Sequence, residues 1–224
     1  MYNAGMTQLP DNLILCQMEL GPLNNFLYFL GDARTKEIAV VDPAWDVDHL
    51  CAQADQQGFK ITAIFLTHGH PDHVNGLDEI LSRHDVPAYI SRHEAPFYKP
   101  THKNIAEVEN GARLTVGNLE FECILTPGHT PGGQCFKHEN VLITGDTIFI
   151  DGCGRCDLPG GDARQLYRSL TDIIMKMPDE TLLYTGHNYG PSTVETIGSQ
   201  KKTNPYLQCS SMEKFLQERM GMSL

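Results

Sequence analysis

The sequence predicts an α/β fold in which two sheets pack against each other with helices outside them, arranged as two similar halves. Three observations predict it. Segments that read as strands give way to a helix twice along the chain. Strands outnumber helices too far for a doubly wound parallel sheet. No linker-like or low-complexity stretch interrupts the order, so residues 1–224 are expected to form one domain.

The elements follow in order. Residues 13–20, 24–31 and 37–41 read as strands, the last ending in Val40-Val41-Asp42-Pro43. A helix is expected from about Val47 to Gln57, with Asp46 placed to cap its free N–H groups and Gly58 to stop it. Ile61 to Thr67 is an apolar run of strand length that ends at a histidine cluster. A second helix, about Gly76 to His84, closes before Pro87, because the residue ahead of a proline is pushed out of helical geometry. Residues 87–91, 112–116, 119–126, 134–137 and 140–145 read as strands, separated by turn chemistry such as Val116-Gly117-Asn118 and Thr126-Pro127-Gly128. Leu166, Leu170, Ile173, Ile174 and Met177 recur at helical spacing, which predicts one amphipathic helix between a cap at Asp162 and a stop at Pro178. A strand from Thr181 to Thr185 runs into Gly186-His187, and a last helix covers about Ser211 to Met220.

Composition narrows the function. Seventeen basic residues stand against 28 acidic ones, a formal net charge of -11, which argues against a nucleic-acid partner because phosphate backbones are met by a basic excess. No apolar run approaches the roughly 18–20 residues needed to span a bilayer, so no membrane association is expected. Met1 to Pro10 carries neither a basic nor an apolar leader segment. Seven cysteines (Cys16, Cys51, Cys123, Cys135, Cys153, Cys156, Cys209) form an odd set without a framework spacing, and reduced thiols in a cytoplasm are the expectation. Cys153 and Cys156 make one C-x-x-C; without a second, they read as loop residues.

The chemistry concentrates in Thr67-His68-Gly69-His70-Pro71-Asp72-His73, where four possible metal ligands fall within six residues. His68 and His70 share a face if the backbone is still extended there, since strand side chains alternate. Asp72 and His73 then turn with the following helix toward an adjacent position. Imidazole with carboxylate suits Zn, Fe or Mn. Three more candidates, His129, Asp146 and His187, each follow a glycine and a strand, in Pro127-Gly128-His129-Thr130, Thr144-Gly145-Asp146-Thr147 and Gly186-His187-Asn188-Tyr189. The other histidines (His49, His84, His93, His102, His138) match no pattern and read as surface or loop residues.

His68-x-His70-x-Asp72-His73 followed by His129, Asp146 and His187 resembles the metallo-β-lactamase superfamily. The resemblance implies an αββα sandwich. It also implies two divalent metal ions, zinc first and iron as the alternative. His68, His70 and His129 would hold one metal, Asp72, His73 and His187 the other, and Asp146 would bridge them. It implies hydrolysis by a hydroxide shared between the metals, with Asp72 assigned a catalytic part as well, and it matches Asp42 to a buried carboxylate that orients a ligand imidazole.

Within the superfamily, the antibiotic-hydrolysing branch usually carries Arg at the position of His73, flavo-diiron proteins carry Glu at that of His70, and the nucleases carry a large insertion. Gly145-Asp146-Thr147-Ile148-Phe149, Gly152-Cys153-Gly154-Arg155 and Gly186-His187-Asn188-Tyr189 resemble glyoxalase II, which implies a thioester substrate contacted by Arg155, Asn188 and Tyr189. Glyoxalase II has Lys at the position of Arg155 and further basic glutathione contacts that Lys201-Lys202 do not reproduce. Coenzyme A and acyl-carrier-protein esters therefore stay open beside glutathione esters. The same stretches resemble persulfide dioxygenases, which implies a second reading: one Fe(II) held by His68, His129 and Asp146. A loop pairing of Arg155 with Asp151 or Asp157 is the plain alternative for that residue.

Overall fold

A computed structural model describes residues 8–221; most of the Met1 to Pro10 segment read above for a leader lies outside them. The first half builds one six-stranded sheet in chain order: β1 (Leu13–Leu20), β2 (Asn25–Asp32), β3 (Glu37–Val41), β4 (Lys60–Phe65), β5 (Ala88–Ser91) and β6 (Ile105–Val108). β1, β2 and β3 are antiparallel, and from β3 onward neighbours are parallel. Parallel neighbours need crossovers. These are α1 (Val47–Gln56), the pair α2 (Pro71–Val74) and α3 (Leu77–Arg83), and the short α4 (Ala95–Tyr98).

The second half builds another six-stranded sheet from β7 (Arg113–Val116), β8 (Leu119–Leu125), β9 (Gln134–His138), β10 (Val141–Ile143), β13 (Leu182–Tyr184) and β14 (Glu195–Thr196), with β10 and β13 parallel. A two-stranded ribbon, β11 (Ile148–Phe149) and β12 (Gly152–Cys153), projects between β10 and the crossover helix α5 (Ala163–Arg168). α6 (Ile197–Thr203) and α7 (Met212–Met220) close the described chain.

Alternation along the strands explains the layering. On β2, Phe26, Tyr28 and Leu30 enter the layer between the sheets, while Leu27 and Phe29 pack under the helices of the first half. On β3, Ala39 and Val41 face inward, and Ile38 and Val40 face the helices. A third cluster, with Leu142, Leu183, Leu166, Leu170, Ile174 and Phe215, lies under the helices of the second half. Sheets buried on both faces read as continuous apolar runs, as these strands do. The result is the αββα sandwich.

The caps act where expected. The Asp46 carboxylate accepts from His49 N, and Gly58 takes φ +67° just past α1. The Asp162 carboxylate likewise accepts from Arg164 N and Gln165 N at the start of α5. Three expectations change. The single amphipathic helix becomes α5, one π-type turn over Ser169–Ile173 and a 3-10 turn over Ile174–Lys176. Leu166, Leu170 and Ile174 stay buried, and the Ser169 hydroxyl donates to Pro127 O at the wide turn. α6 is absent from the sequence reading because Gly198 lowers its local helix propensity. Packing explains that glycine, since a Cβ there would lie 2.8 Å from Asp179 Cβ. The short pieces α2, α4, β6, β11, β12 and β14 carry too few residues for a periodic signal. Among the described residues, no helix is long and apolar enough to cross a membrane.

Phe65 anchors the inter-sheet layer just ahead of the histidine cluster. Fully buried, its ring lies 4.9 Å from Phe136, 5.9 Å from Phe121 and 6.0 Å from Tyr89. Phe65→Ala should cost about 3–5 kcal/mol, since the sheets cannot collapse around the cavity. Urea unfolding measures it, and a loss below about 1 kcal/mol would contradict this packing.

Candidate metal centre

Every residue singled out for metal binding lies at the C-terminal end of a strand, along one edge of the sandwich. Asp42 follows β3, His68 to His73 follow β4, His129 follows β8, Asp146 follows β10 and His187 follows β13. His70 is still extended (φ -67°, ψ 146°), and Pro71 starts α2, so Asp72 and His73 occupy its first turn. Two glycines are dictated by space. A Cβ at Gly145 (φ +49°) would lie 2.4 Å from Thr67 Oγ1, and one at Gly186 would lie 2.2 Å from Asp146 Oδ1. At Gly186 the need is clearance for the carboxylate, since its φ is not positive.

The ligand atoms of His68, His70 and His129 all lie within 4.8 Å of one another, and so do those of Asp72, His73 and His187. Asp146 stands between the groups. Its Oδ1 is 3.4 Å from His73 Nε2, and its Oδ2 is 3.4 Å from His129 Nε2 and 3.3 Å from His187 Nε2. Asp72 Oδ2 is 3.4 Å from His187 Nε2 and 3.6 Å from His73 Nε2.

The outer nitrogens set the tautomers. His129 Nδ1 lies 2.7 Å from Arg155 O, His187 Nδ1 2.9 Å from Leu23 O, and His73 Nδ1 2.9 Å from Asp42 Oδ2. Each partner only accepts, so each Nδ1 carries the proton and each Nε2 turns inward. His68 follows the same rule through one more group. The Thr67 hydroxyl donates to Asp42 Oδ2 at 2.6 Å, which leaves its oxygen to accept from His68 Nδ1 at 3.0 Å. Asp42, at φ +51°, thus holds two imidazoles, one directly and one through Thr67, while Thr67 N donates to its other oxygen.

While the imidazoles are neutral, the inward-facing lone pairs have no hydrogen-bond solution among themselves. His70 Nδ1 and His129 Nε2 lie 2.9 Å apart, and His73 Nε2 and His187 Nε2 lie 3.2 Å apart. His68 Nε2 and Asp146 Oδ1 are buried without any hydrogen-bond partner. Five imidazoles and two carboxylates so placed fit divalent cations of the borderline class.

Protonation points the same way. Burial, reinforced by neighbouring imidazoles, pushes His68 well below the ordinary histidine range and His70 down to about 4, so both are neutral donors. Burial also opposes charge on His73, but Asp146, Asp42 and Asp72 outweigh it and raise the imidazole to about 9. His187 is raised too, where the hydrogen bond and charge of Asp146 overcome burial. Burial alone would raise Asp146; the imidazoles around it hold it well below the usual carboxylate range. A proton on His73 therefore takes the place of a cation in the metal-free chain. Cation uptake there releases it and weakens as pH falls.

The remaining candidates divide. Tyr189 stacks on the His187 ring at 4.6 Å and 6° and is 55 % exposed. Arg155 lines the same cavity, but its guanidinium pairs with Asp157 (3.0 and 2.8 Å) while its carbonyl receives His129. Of the two loop pairings expected for Arg155, the one with Asp157 forms. Asn188 does not line the cavity; its amide donates to Glu19 Oε2 on β1 at 2.8 Å. The sequence reading missed Asn25. Its amide donates to Asp72 Oδ2 (3.1 Å) and Asp72 O (3.0 Å), and its oxygen accepts from Trp45 Nε1 (2.9 Å). No motif could have shown this, because Asn25 reads only as part of the strand expected over residues 24–31.

Beside the cluster opens a cavity of about 320 Å³. Leu23, Pro71, Phe149, Leu158 and Tyr189 make its apolar wall, and among the described residues no Ser, Thr or Cys lines it.

Known proteins resemble this chain in both sequence and fold. The family model described as "Metallo-beta-lactamase superfamily" matches residues 20–187. The "Probable polyketide biosynthesis zinc-dependent hydrolase PksB" of Bacillus subtilis is 31% identical over 195 residues, covering 87% of each chain. "Persulfide dioxygenase ETHE1, mitochondrial" of Mus musculus is 31% identical over 202 residues, 89% of this chain and 77% of its own. The crystal structure of ETHE1 from Myxococcus xanthus superposes with a TM-score of 0.84 at 30% identity, covering 94% of this chain and 92% of its own.

Proposed function

This chain belongs to the metallo-beta-lactamase superfamily as a metal-dependent hydrolase, and we propose that it is a binuclear zinc thioesterase acting on acyl thioesters. One observation carries the reading: two pairs of facing imidazole nitrogens, joined by Asp146, open on a cavity with an apolar wall and no Ser, Thr or Cys among the described residues that line it. Two cations there would supply Lewis acidity toward a carbonyl oxygen and a water ionising near pH 7 instead of about 15.7. Asp42, Thr67, Leu23 O and Arg155 O hold the imidazoles in the tautomer that presents Nε2 inward. Asn25, itself fixed by Trp45, orients Asp72. Asp72, a fifth exposed and in the cavity wall, is the carboxylate placed to take a proton from the attacking water. Phe149, Leu158 and Tyr189 exclude bulk water and seat the apolar part of the acyl or thiol group. Arg155, mostly exposed at the rim, can exchange Asp157 for a carboxylate or phosphate of the carrier.

The net charge of -11 sets the chain against nucleic-acid partners. All seven cysteines are free, which suits the reducing cytoplasm we assign to it.

The likeness to persulfide dioxygenases favours a second reading, a single Fe(II) on His68, His129 and Asp146. It leaves the convergence of His70, Asp72, His73 and His187 without a purpose. Elemental analysis after expression with balanced zinc and iron should find two metals per chain, mostly zinc. Thiol release from S-acyl glutathione and acyl-coenzyme A should proceed under nitrogen. One iron per chain, with oxygen consumed on glutathione persulfide and no thiol released, would reverse the choice.

A further inference from the structure

Glu94 lies in the β5–β6 connection, immediately ahead of α4, and is completely buried. Its Oε1 accepts the N–H of Gly69 at 2.9 Å and its Oε2 the N–H of Gly132 at 2.8 Å. Gly69 sits between His68 and His70. Gly132 belongs to the loop that carries His129. One carboxylate thus joins two loops far apart in sequence, each bearing ligands of the same half of the cluster. Both glycines allow the close approach. A Cβ at Gly132 would lie 2.0 Å from Glu94 N, and one at Gly69 2.4 Å from Tyr98 Cβ on α4. Phe97, also on α4, lies at 75° to the His70 ring, with 6.4 Å between centroids. The segment 94–98 therefore braces His68, His70 and His129. The half formed by Asp72, His73 and His187 has its own supports in Asn25 and Leu23 O, and it shares Asp42 with His68.

We propose that Glu94 is a positioning residue for the first cation site: by accepting from both Gly69 and Gly132, it fixes the separation of His70 Nδ1 and His129 Nε2 before any cation binds. This rests on the two-cation reading above. A carboxylate suits the task because both oxygens accept, and each can satisfy one buried N–H. Glu94→Gln turns one acceptor into a donor facing a donor, while size and burial hardly change. The loops should then part at that point.

The test is titration of the metal-free chain with Co²⁺, followed by its visible absorption. His70→Ala and His73→Ala identify which binding step belongs to which half. In Glu94→Gln, affinity at the half containing His70 should fall about 10–100-fold, the range for a lost support of a metal ligand. Affinity at the half containing His73 should stay within about threefold. Equal weakening of both halves would show a purely structural residue and overturn the proposal, as would unchanged binding at the first. A wild-type chain that takes up fewer than two Co²⁺ would instead sink the two-cation reading itself. If Glu94→Gln does not fold, amide hydrogen exchange in the metal-free wild type decides. Slow exchange at both Gly69 and Gly132 is expected, and unprotected exchange at either overturns the strap.

Discussion

Asp146→Ala should empty both halves of the cluster and lower thioester hydrolysis at least about 10⁴-fold, roughly 5.5 kcal/mol of transition-state stabilisation. Asp146 is the residue whose two carboxylate oxygens reach ligand nitrogens on both sides, at 3.3–3.4 Å from His73, His129 and His187. It is also the anion that draws the surrounding imidazoles toward a shared charge. Without it, two cations would repel each other across neutral imidazoles with only Asp72 to offset them. His187→Ala, by contrast, removes one nitrogen from one half. Elemental analysis after exhaustive dialysis should therefore find almost no metal in Asp146→Ala and about one per chain in His187→Ala. Equal losses in the two variants would count against a bridging role, and so would full metal content in Asp146→Ala.

His73→Ala should lower thioester hydrolysis by about 10³-fold or more, roughly 4 kcal/mol, because a second cation held there would act mainly on charge that develops in the transition state. His73 belongs to the half formed with Asp72 and His187, and it lies outside the set His68, His129 and Asp146 that would hold a lone iron. A mononuclear dioxygenase would feel its loss only through packing. The replacement also takes a partner from the buried Asp42, although Thr67 still donates to both carboxylate oxygens. Circular dichroism and urea unfolding should accordingly show a folded but weaker chain. Thiol release under nitrogen and oxygen uptake with glutathione persulfide, measured on wild type and variant, separate the cases. Fast oxygen uptake in wild type, largely kept in His73→Ala and unaccompanied by thiol release, would rule out the hydrolase.

Much of this molecule was legible in its sequence because the signals involved are local. The continuous apolar runs of β2 and β3, the cap at Asp46 and the stop at Gly58 act over a few residues, and the elements they define lie where they were expected. The seven metal-ligand candidates were legible for a similar reason: each ends a strand, most within a glycine-containing motif, and strands of a layered sheet end at one edge. Amphipathic spacing was a weaker guide. It located the buried face of residues 163–177 and missed the π-type turn, which leaves that face unchanged. Single-residue contacts were weaker still. Asn188 stood in a matching motif, yet its amide is spent on Glu19.

The sequence by itself determined the layers, the edge on which the site forms and the kinds of donor gathered there. Only the tertiary structure decided which nitrogen of each imidazole faces inward, which carboxylate joins the halves and which residues brace them. The outer partner of His187 is the carbonyl of Leu23, 164 residues away, and Asn25 reaches Asp72 across 47. Leu23 and Arg155 contribute backbone oxygens, which every residue possesses, so no side-chain pattern can announce them. A tautomer is fixed by the acceptor an imidazole meets, and that acceptor is found only when strands distant in sequence pack side by side.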